Sequence, residues 1–194
     1  SFQAALSGPG DSVLVQNYIY DDDEYFNRWK SRIDDTGDMI TLFSNLVTDY
    51  PFAREKYGHA VAPMGGGMEH QTMTTIAAFS FTLVAHELAH QWFGDNITCG
   101  NWQDIWINEG FASYFEYVAL QNLVSQEEAD NWMMYAQQLS FEETGSVYVP
   151  EEEAENVNRV FDYGLSYKKG AALIHMIRYE MNNDALFYEM LRIY

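Results

Sequence analysis

The chain has 194 residues, of which 10 are lysine or arginine and 29 are aspartate or glutamate, so its formal net charge is −19. This length is enough for one compact domain with a sizeable hydrophobic core. The negative charge argues against nucleic acids and anionic membranes as partners, because both would repel an acidic surface.

The first fifty residues contain one strand pattern and two helix patterns. Apolar and polar residues alternate from Val13 to Tyr20, which favours a β-strand. A helical spacing of apolar residues begins at the acidic turn of Asp21 and resumes after residues 36–38. Thr36-Gly37-Asp38 is therefore predicted to break the helix and to cap a second one, which Pro51 ends.

Residues 57–63 and 68–76 are two extended stretches. The second is expected to form the edge strand of a small sheet along a cleft, where a substrate backbone could add as a further strand. Helical patterns dominate from residue 77 onward, and residues 146–153 are the longest irregular piece. Strands followed by helices predict an α+β domain.

The helix predicted over residues 77–93 contains the motif His86-Glu87-Leu88-Ala89-His90. Residues four apart lie on one face of a helix, about 6 Å apart along its axis, so His86 and His90 can bind one metal ion. Glu87 is rotated by about 100° from His86 and lies beside the ion without binding it. This spacing is typical of a zinc hydrolase, in which Glu87 would take a proton from the metal-activated water.

Glu109 follows the motif after eighteen residues and begins a second helical pattern that runs to about Leu123. Its carboxylate is predicted as the third zinc ligand. Glu116 lies two turns further on the same face, where it could orient a liganding histidine, but an exposed helical glutamate is an equally good interpretation. Asn108 is also predicted to lie in the shell around the ligands.

These residues resemble the aminopeptidase N family of zinc metallopeptidases. The family pattern of His-Glu-x-x-His, eighteen residues and glutamate is matched together with its flanks, residues 90–94 and 106–112. Two further family motifs are approximated by Gly66-Gly67-Met68-Glu69-His70 and by Tyr167-Lys168-Lys169-Gly170. The resemblance implies a thermolysin-like catalytic domain that binds one zinc ion.

The resemblance also implies roles for the residues of these two further motifs. Glu69 would hold the free α-amino group of a peptide, so that one residue is removed from the N-terminus, and Gly66, Gly67 and Met68 would belong to the same substrate site. Tyr167 would donate its hydroxyl to the oxyanion. His70 departs from the family, which has asparagine or aspartate at this position. His59 and His175 have no ligand partner at useful spacing and are interpreted as ordinary structural or surface histidines.

The family also predicts how the chain is divided. Residues 1–20 are expected to be the exit from an N-terminal β-rich domain, or a linker, and residues 21–194 the catalytic domain without its C-terminal helical region. The expected partners are peptides with a free N-terminus and the missing domains. Cys99 is alone, no membrane segment is visible, and the compartment stays open. A zinc endopeptidase and a non-catalytic module of the same fold are the alternatives.

Overall fold

Short strands and one long helix precede a series of further helices in the computed structural model, which describes residues 1–6 and 11–194. The strands are β1 Phe2–Ala5, β2 Ser12–Val15, β3 His59–Val61, β4 Gly67–Met68 and β5 Thr74–Ile76. The α-helices are α1 Asp23–Leu46, α2 Phe81–Ala89, α3 Trp106–Leu123, α4 Gln126–Glu142, α5 Val157–Val160, α6 Gly170–Met181 and α7 Asp184–Ile193. A π-helical segment, Tyr163–Lys169, leads into α6.

The predicted small mixed sheet is confirmed, with the strand order β3-β5-β4. β3 and β5 are parallel, whereas β4 and β5 are antiparallel. The prediction of one edge strand over residues 68–76 is wrong, because these residues form parts of two strands and β5 lies in the middle of the sheet. A tight turn separates them, in which Thr72 has a φ of 64° and its N–H donates to Gln91 Oε1 at 2.8 Å. Gln91 is distant in sequence from this turn, so the local sequence pattern does not reveal the bond that stabilises it.

Residues 14–18 run alongside β3 and extend the sheet. The N–H of Gln16 donates to the carbonyl of Tyr57 at 2.8 Å, and the N–H of Tyr18 donates to that of His59 at 2.7 Å. The strand predicted from Val13 to Tyr20 is therefore present in part. The predicted domain boundary after residue 20 stays a prediction, and residues 7–10 of that segment lie outside the described residues.

The predicted break at Thr36-Gly37-Asp38 is wrong, because α1 is one continuous helix of 24 residues. Thr36 is fully buried, and β1 packs against the helix where Gly37 leaves room for the ring of Phe2. Thr41 also donates its hydroxyl to the carbonyl of Ala5 at 2.8 Å. These contacts offset the helix cost of one glycine, which is only about 1 kcal/mol.

The helix with the two histidines is shorter than the predicted range of residues 77–93. It begins after Ser80, whose hydroxyl accepts the N–H of Leu83, and it ends at Ala89 with His90 as its C-cap residue. His90 keeps right-handed helical angles (φ −58°, ψ −23°), so it still shares a face with His86. The predicted alignment of the two imidazoles therefore does not need the longer helix.

The helix α3 has buried residues on all sides and packs against α2, α4 and α6. Apolar side chains from these helices and from α1 form one continuous core around it. Among the described residues, none of the helices has both the length and the apolar character of a membrane span. The core thus holds α2 and α3, which carry the predicted metal ligands, in fixed relative positions.

Candidate metal centre and substrate cleft

His86, His90 and Glu109 come together at the contact between α2 and α3. The two Nε2 atoms lie 3.1 Å apart, and Glu109 Oε2 lies 3.3 Å from that of His86 and 3.2 Å from that of His90. All three side chains are buried. The three atoms form a nearly equilateral triangle, as the three protein ligands of a tetrahedral ion do.

The other ring nitrogen of each histidine is already bonded. Nδ1 of His86 lies 3.0 Å from Glu116 Oε1, and Nδ1 of His90 lies 3.0 Å from the carbonyl oxygen of Phe93. Both partners are acceptors, so each Nδ1 carries the proton and each Nε2 of a neutral ring presents its lone pair to the same point. Two facing lone pairs and a carboxylate need a cation between them, which either a proton or a metal ion can supply.

The charges of this cluster shift the pKa values of its members. Burial alone would lower the pKa of His86, but Glu109 and Glu116 outweigh it and raise the pKa to about 10. The same competition between burial and Glu109 raises the pKa of His90. Burial would raise the pKa of Glu109, but the two histidines hold it far below its usual range. The carboxylate therefore stays ionised and holds positive charge at this point.

Glu87 lies beside the triangle with one oxygen unsatisfied. Its Oε2 is buried and has no hydrogen-bond partner within the described part of the chain. Burial raises the pKa of Glu87 to about 7, against the opposing effect of His86 and His90. A carboxyl group with a pKa near neutrality can both accept and release a proton in the cleft.

Gly67 in β4 approaches Glu87 so closely that a side chain would not fit. A Cβ atom at this position would lie 2.5 Å from the Cδ and Oε1 atoms of Glu87. Gly66 before it has a φ of +69°, which favours glycine. These glycines let the backbone of the edge strand form one wall of the cleft, directly above Glu87.

Tyr167 lies in the π-helical segment and lines the same cavity as Gly67 and Glu87. Its ring stacks on that of His86 with 5.7 Å between centroids and 16° between planes. Burial first, and then the nearby carboxylates of Glu109, Glu69 and Glu87, raise the pKa of Tyr167 well above its usual value. The hydroxyl therefore keeps its proton and acts as a hydrogen-bond donor, with the Glu109 carboxylate as its partner.

Glu69 is half-buried and follows the edge strand β4. The buried amide of Gln91 fixes its backbone: Nε2 donates to the carbonyl of Glu69 at 3.1 Å and to Asp95 Oδ2 at 2.7 Å. Gln91 Oε1 accepts the N–H of Thr72. Gln91 thus connects the end of α2 to the loop that carries Glu69. Sequence reasoning gave Gln91 no role, although a polar residue inside an apolar helix pattern was a visible signal.

Glu116 is buried, so its interpretation as an exposed helical glutamate is wrong. Its 3.0 Å bond to Nδ1 of His86 fits the other interpretation, in which Glu116 orients a liganding histidine.

Asn108 instead bonds the loop before α3, accepting the N–H of Cys99 and donating to Thr98 Oγ1, each at 3.0 Å. His70 is exposed, with Nδ1 3.0 Å from Thr75 Oγ1. His59 is fully buried, as a structural histidine can be, and bonds Asn17.

Two adjoining cavities open onto these groups. The first, about 350 Å³, is lined by the three predicted ligands together with Gly67, Glu69, Glu87 and Tyr167. The second, about 580 Å³, shares Gly67, Glu69, Glu109, Phe161 and Tyr167 with the first and extends to Met68 and Trp102. The cleft therefore has a polar floor and a larger, partly aromatic extension beyond Glu69.

Comparison with known proteins identifies relatives of this chain. The family model described as "Peptidase family M1 domain" matches residues 68–194. Human glutamyl aminopeptidase is 36% identical over 102 residues, which cover 50% of this chain and 11% of that protein. Aminopeptidase N of Lactococcus lactis subsp. lactis is 36% identical over 110 residues, covering 53% of this chain and 13% of that protein. The chain thus matches about one tenth of the length of these curated relatives.

Solved structures share its fold. An M1 zinc metallopeptidase from Deinococcus radiodurans, a mutant bound to a Tyr-Ser-Ala substrate, superposes with a TM-score of 0.75 and 24% identity over 100% of this chain and 42% of that one. Leukotriene A4 hydrolase from Saccharomyces cerevisiae gives 0.71 and 21% over 100% of this chain and 32% of that one. At such identities the likeness concerns the fold, and it confirms the expected α+β metallopeptidase architecture. The family match over residues 68–194 goes further, and by it the chain belongs to peptidase family M1.

Proposed function

We propose that the protein containing this chain is a zinc-dependent aminopeptidase that releases N-terminal residues from peptides. The observation that supports this most strongly is the triangle of His86 Nε2, His90 Nε2 and Glu109 Oε2, with edges of 3.1 to 3.3 Å. Its size agrees with zinc bonds of about 2.0 to 2.1 Å, for which a tetrahedron has edges of about 3.3 to 3.4 Å. Two imidazoles and a carboxylate are also a donor set that zinc prefers.

His86, His90 and Glu109 would hold the ion on the floor of the cleft. Bound zinc would supply Lewis acidity, polarising the scissile carbonyl and activating a water. The Nδ1 bonds to Glu116 and to the carbonyl of Phe93 keep both imidazoles in the tautomer that leaves Nε2 free. These contacts prepare the donor atoms before any ligand arrives.

Glu87 would act as the general base and then as the general acid. Its unsatisfied Oε2 can accept a proton from the attacking water, and the same oxygen can pass that proton to the leaving amine. A pKa near 7 suits both directions of transfer. The backbone of Gly67 limits where the Glu87 carboxylate can lie.

Tyr167 and Glu69 would both act on the substrate. The Tyr167 hydroxyl remains protonated and would donate to the oxyanion that forms at the scissile carbonyl, a contact worth about 3 to 4 kcal/mol in the transition state. The Glu69 carboxylate, with Gly66, Gly67 and Met68 around it, would bind the ammonium group of the N-terminal residue, because a cation in a partly desolvated cleft needs a countercharge.

The free-amine requirement separates this proposal from the endopeptidase alternative. Matched peptides with a free and an acetylated N-terminus are offered to the zinc-loaded protein. An aminopeptidase cleaves only the peptide with the free N-terminus and releases its first residue, whereas an endopeptidase cleaves both peptides. The name "aminopeptidase" of the relatives in the family supports the first outcome.

Glu87→Gln tests the chemistry against the alternative of a non-catalytic module. The variant is expected to lose about 10²- to 10⁴-fold in kcat while it keeps its zinc, because it removes proton transfer but no ligand. Glu180→Gln, an exposed glutamate on α6, is the matched control and should retain the wild-type rate. Absence of turnover in the zinc-loaded wild type, with every aminoacyl substrate offered, would contradict the proposal.

A further inference from the structure

Lys168 is a buried cation that the roles proposed so far do not use. Only 1% of its surface is exposed, although it is a lysine in a segment next to the cleft. Its Nζ lies 3.1 Å from Glu116 Oε1, 4.3 Å from the ring centre of Trp132 and 4.9 Å from that of Tyr163. A buried ammonium group is costly unless it is paired, so this contact set fixes the position of the lysine closely.

The carboxylate that pairs with Lys168 is the one that holds His86. Glu116 Oε1 accepts both the Nδ1–H of His86 at 3.0 Å and the ammonium group at 3.1 Å. The other oxygen, Oε2, accepts the indole N–H of Trp132 at 2.9 Å. These three donors together orient one carboxylate, so the direction in which Glu116 faces His86 depends in part on where Lys168 lies.

The position of Lys168 in the chain links this carboxylate to Tyr167. The two residues are consecutive in the π-helical segment, and the Tyr167 ring stacks on the His86 ring 5.7 Å away. The same short segment therefore contacts His86 twice, once through the Tyr167 ring and once through Lys168 and Glu116. π-helical turns often occur at functional sites, and here the turn directs one side chain to the face of an imidazole and the next to the carboxylate on its Nδ1.

We propose that Lys168 is a positioning residue that orients His86 for the metal through Glu116 and holds the Tyr167 segment in register with it. This rests on the proposed function only in taking zinc as the metal. The adjacent Lys169 provides the contrast, since its ammonium group donates to the carbonyl of Gly145, outside the cleft. A general effect of losing a lysine from this segment would appear at both positions, whereas positioning of His86 is confined to Lys168.

The test measures the zinc dissociation constant of the purified protein by competition with a chelator. Lys168→Met keeps the length and apolar stem of the side chain and removes its charge. Outer-shell substitutions typically weaken metal binding by about 10- to 100-fold, which is the loss expected for Lys168→Met. Lys168→Arg should recover most of this loss, and Lys169→Met should stay within about twofold of wild type on the same argument.

A double-mutant cycle separates action through Glu116 from a purely structural role. If Lys168 acts through Glu116, Lys168→Met adds no further loss of zinc affinity to Glu116→Gln, whereas independent effects would multiply. The cycle also covers poor folding of Lys168→Met, because the double variant leaves no buried charge unpaired. Circular dichroism and thermal unfolding in excess chelator identify the folded variants.

Wild-type affinity in Lys168→Met, or a further tenfold loss in the double variant over Glu116→Gln, would overturn the inference. Failure of the proposed function has a different signature, because then the wild type itself fails to bind zinc or binds it without turnover. The zinc titration of Lys168→Met can be read in the second case, since it requires no catalysis.

Discussion

The backbones of Gly110 in α3 and Gly170 at the start of α6 are in contact. A Cβ atom on Gly170 would lie 2.9 Å from the Cα of Gly110, and one on Gly110 would lie 3.0 Å from Gly170. Glu109 precedes the first glycine, and Tyr167 lies three residues before the second. The contact therefore sets how far the proposed oxyanion donor lies from the proposed metal ligand.

Gly170→Ala should separate these two helices and reduce both stability and turnover. Overpacking of this kind usually costs about 1 to 3 kcal/mol of unfolding free energy. Because the Tyr167 segment moves with α6, kcat should fall further than the stability loss explains. Thermal unfolding and steady-state kinetics measure the two effects. Gly65→Ala is the control, since a Cβ there meets no atom within 4 Å, and equal behaviour of the two variants would refute the packing argument.

Gly67→Ala should impair catalysis without removing the metal. The added methyl would lie 2.5 Å from Glu87 and displace its carboxylate, while His86 and His90 stay on α2. We expect kcat to fall by at least about tenfold, because misplacement by 1 Å can cost about 10²-fold, and we expect zinc content to be unchanged. Gly65→Ala, where a Cβ meets nothing within 4 Å, should be nearly neutral. A Gly67→Ala enzyme with wild-type kcat would show that Glu87 tolerates the shift.

Glu69→Ala should weaken the preference for a free N-terminus. Loss of a hydrogen bond to a charged group costs about 1.5 to 3 kcal/mol, so KM for aminoacyl substrates should rise by about 10- to 100-fold. Acetylated peptides, which lack the cation, should be handled as poorly as by the wild type. A variant whose ratio of rates on free and acetylated peptides equals that of the wild type would exclude Glu69 as the amine site.

The free energy of unfolding should decrease in mild acid because of the buried His59. Burial lowers the pKa of His59 from 6.5 to about 3, so between these values the unfolded chain binds a proton that the folded chain does not. The free energy of unfolding then decreases as pH falls, by about 1.4 kcal/mol per pH unit inside that window.

The comparison with His59→Phe isolates this contribution. The variant leaves Asn17 without its 2.7 Å partner and should be less stable than wild type at pH 7. That deficit should shrink from about pH 6 downward, because phenylalanine binds no proton. Glu87 and Asp95, whose pKa values burial raises to about 7 and about 6, contribute with the opposite sign in both proteins and cancel in the difference. A stability deficit that does not change with pH would contradict the lowered pKa of His59 in the folded protein.

The relative positions of the side chains on α2 and α3 can be predicted from the sequence, because they follow from residue spacing on a helix. Two histidines four apart must share a face, and Glu87 between them must lie beside it, whether the helix ends at Ala89 or at Phe93. The same holds for Glu109 and Glu116, seven residues apart on α3. What local pattern did not decide for Glu116 was its burial, which depends on the packing of α4 and the π-helical segment.

The features that sequence reasoning missed depend on contacts between distant segments. The sequence predicts a break at Thr36-Gly37-Asp38, where glycine is a poor helix former, but Phe2 of β1 packs against Gly37 and the helix continues. The roles of Gln91 and Lys168 need partners 19 and 52 residues away, at Thr72 and Glu116. A single sequence does not reveal such pairs. The position of Lys168, a charged residue just before an apolar helix, was nevertheless a visible signal.

The zinc content of the purified, dialysed protein tests the central claim most directly, compared between wild type and Glu109→Ala. We expect one zinc ion per wild-type chain, and we expect the variant to lose its metal to a chelator far more readily because one of the three ligands is missing. A wild type that stays metal-free when offered zinc, or a Glu109→Ala protein that holds zinc as tightly as the wild type, would contradict it.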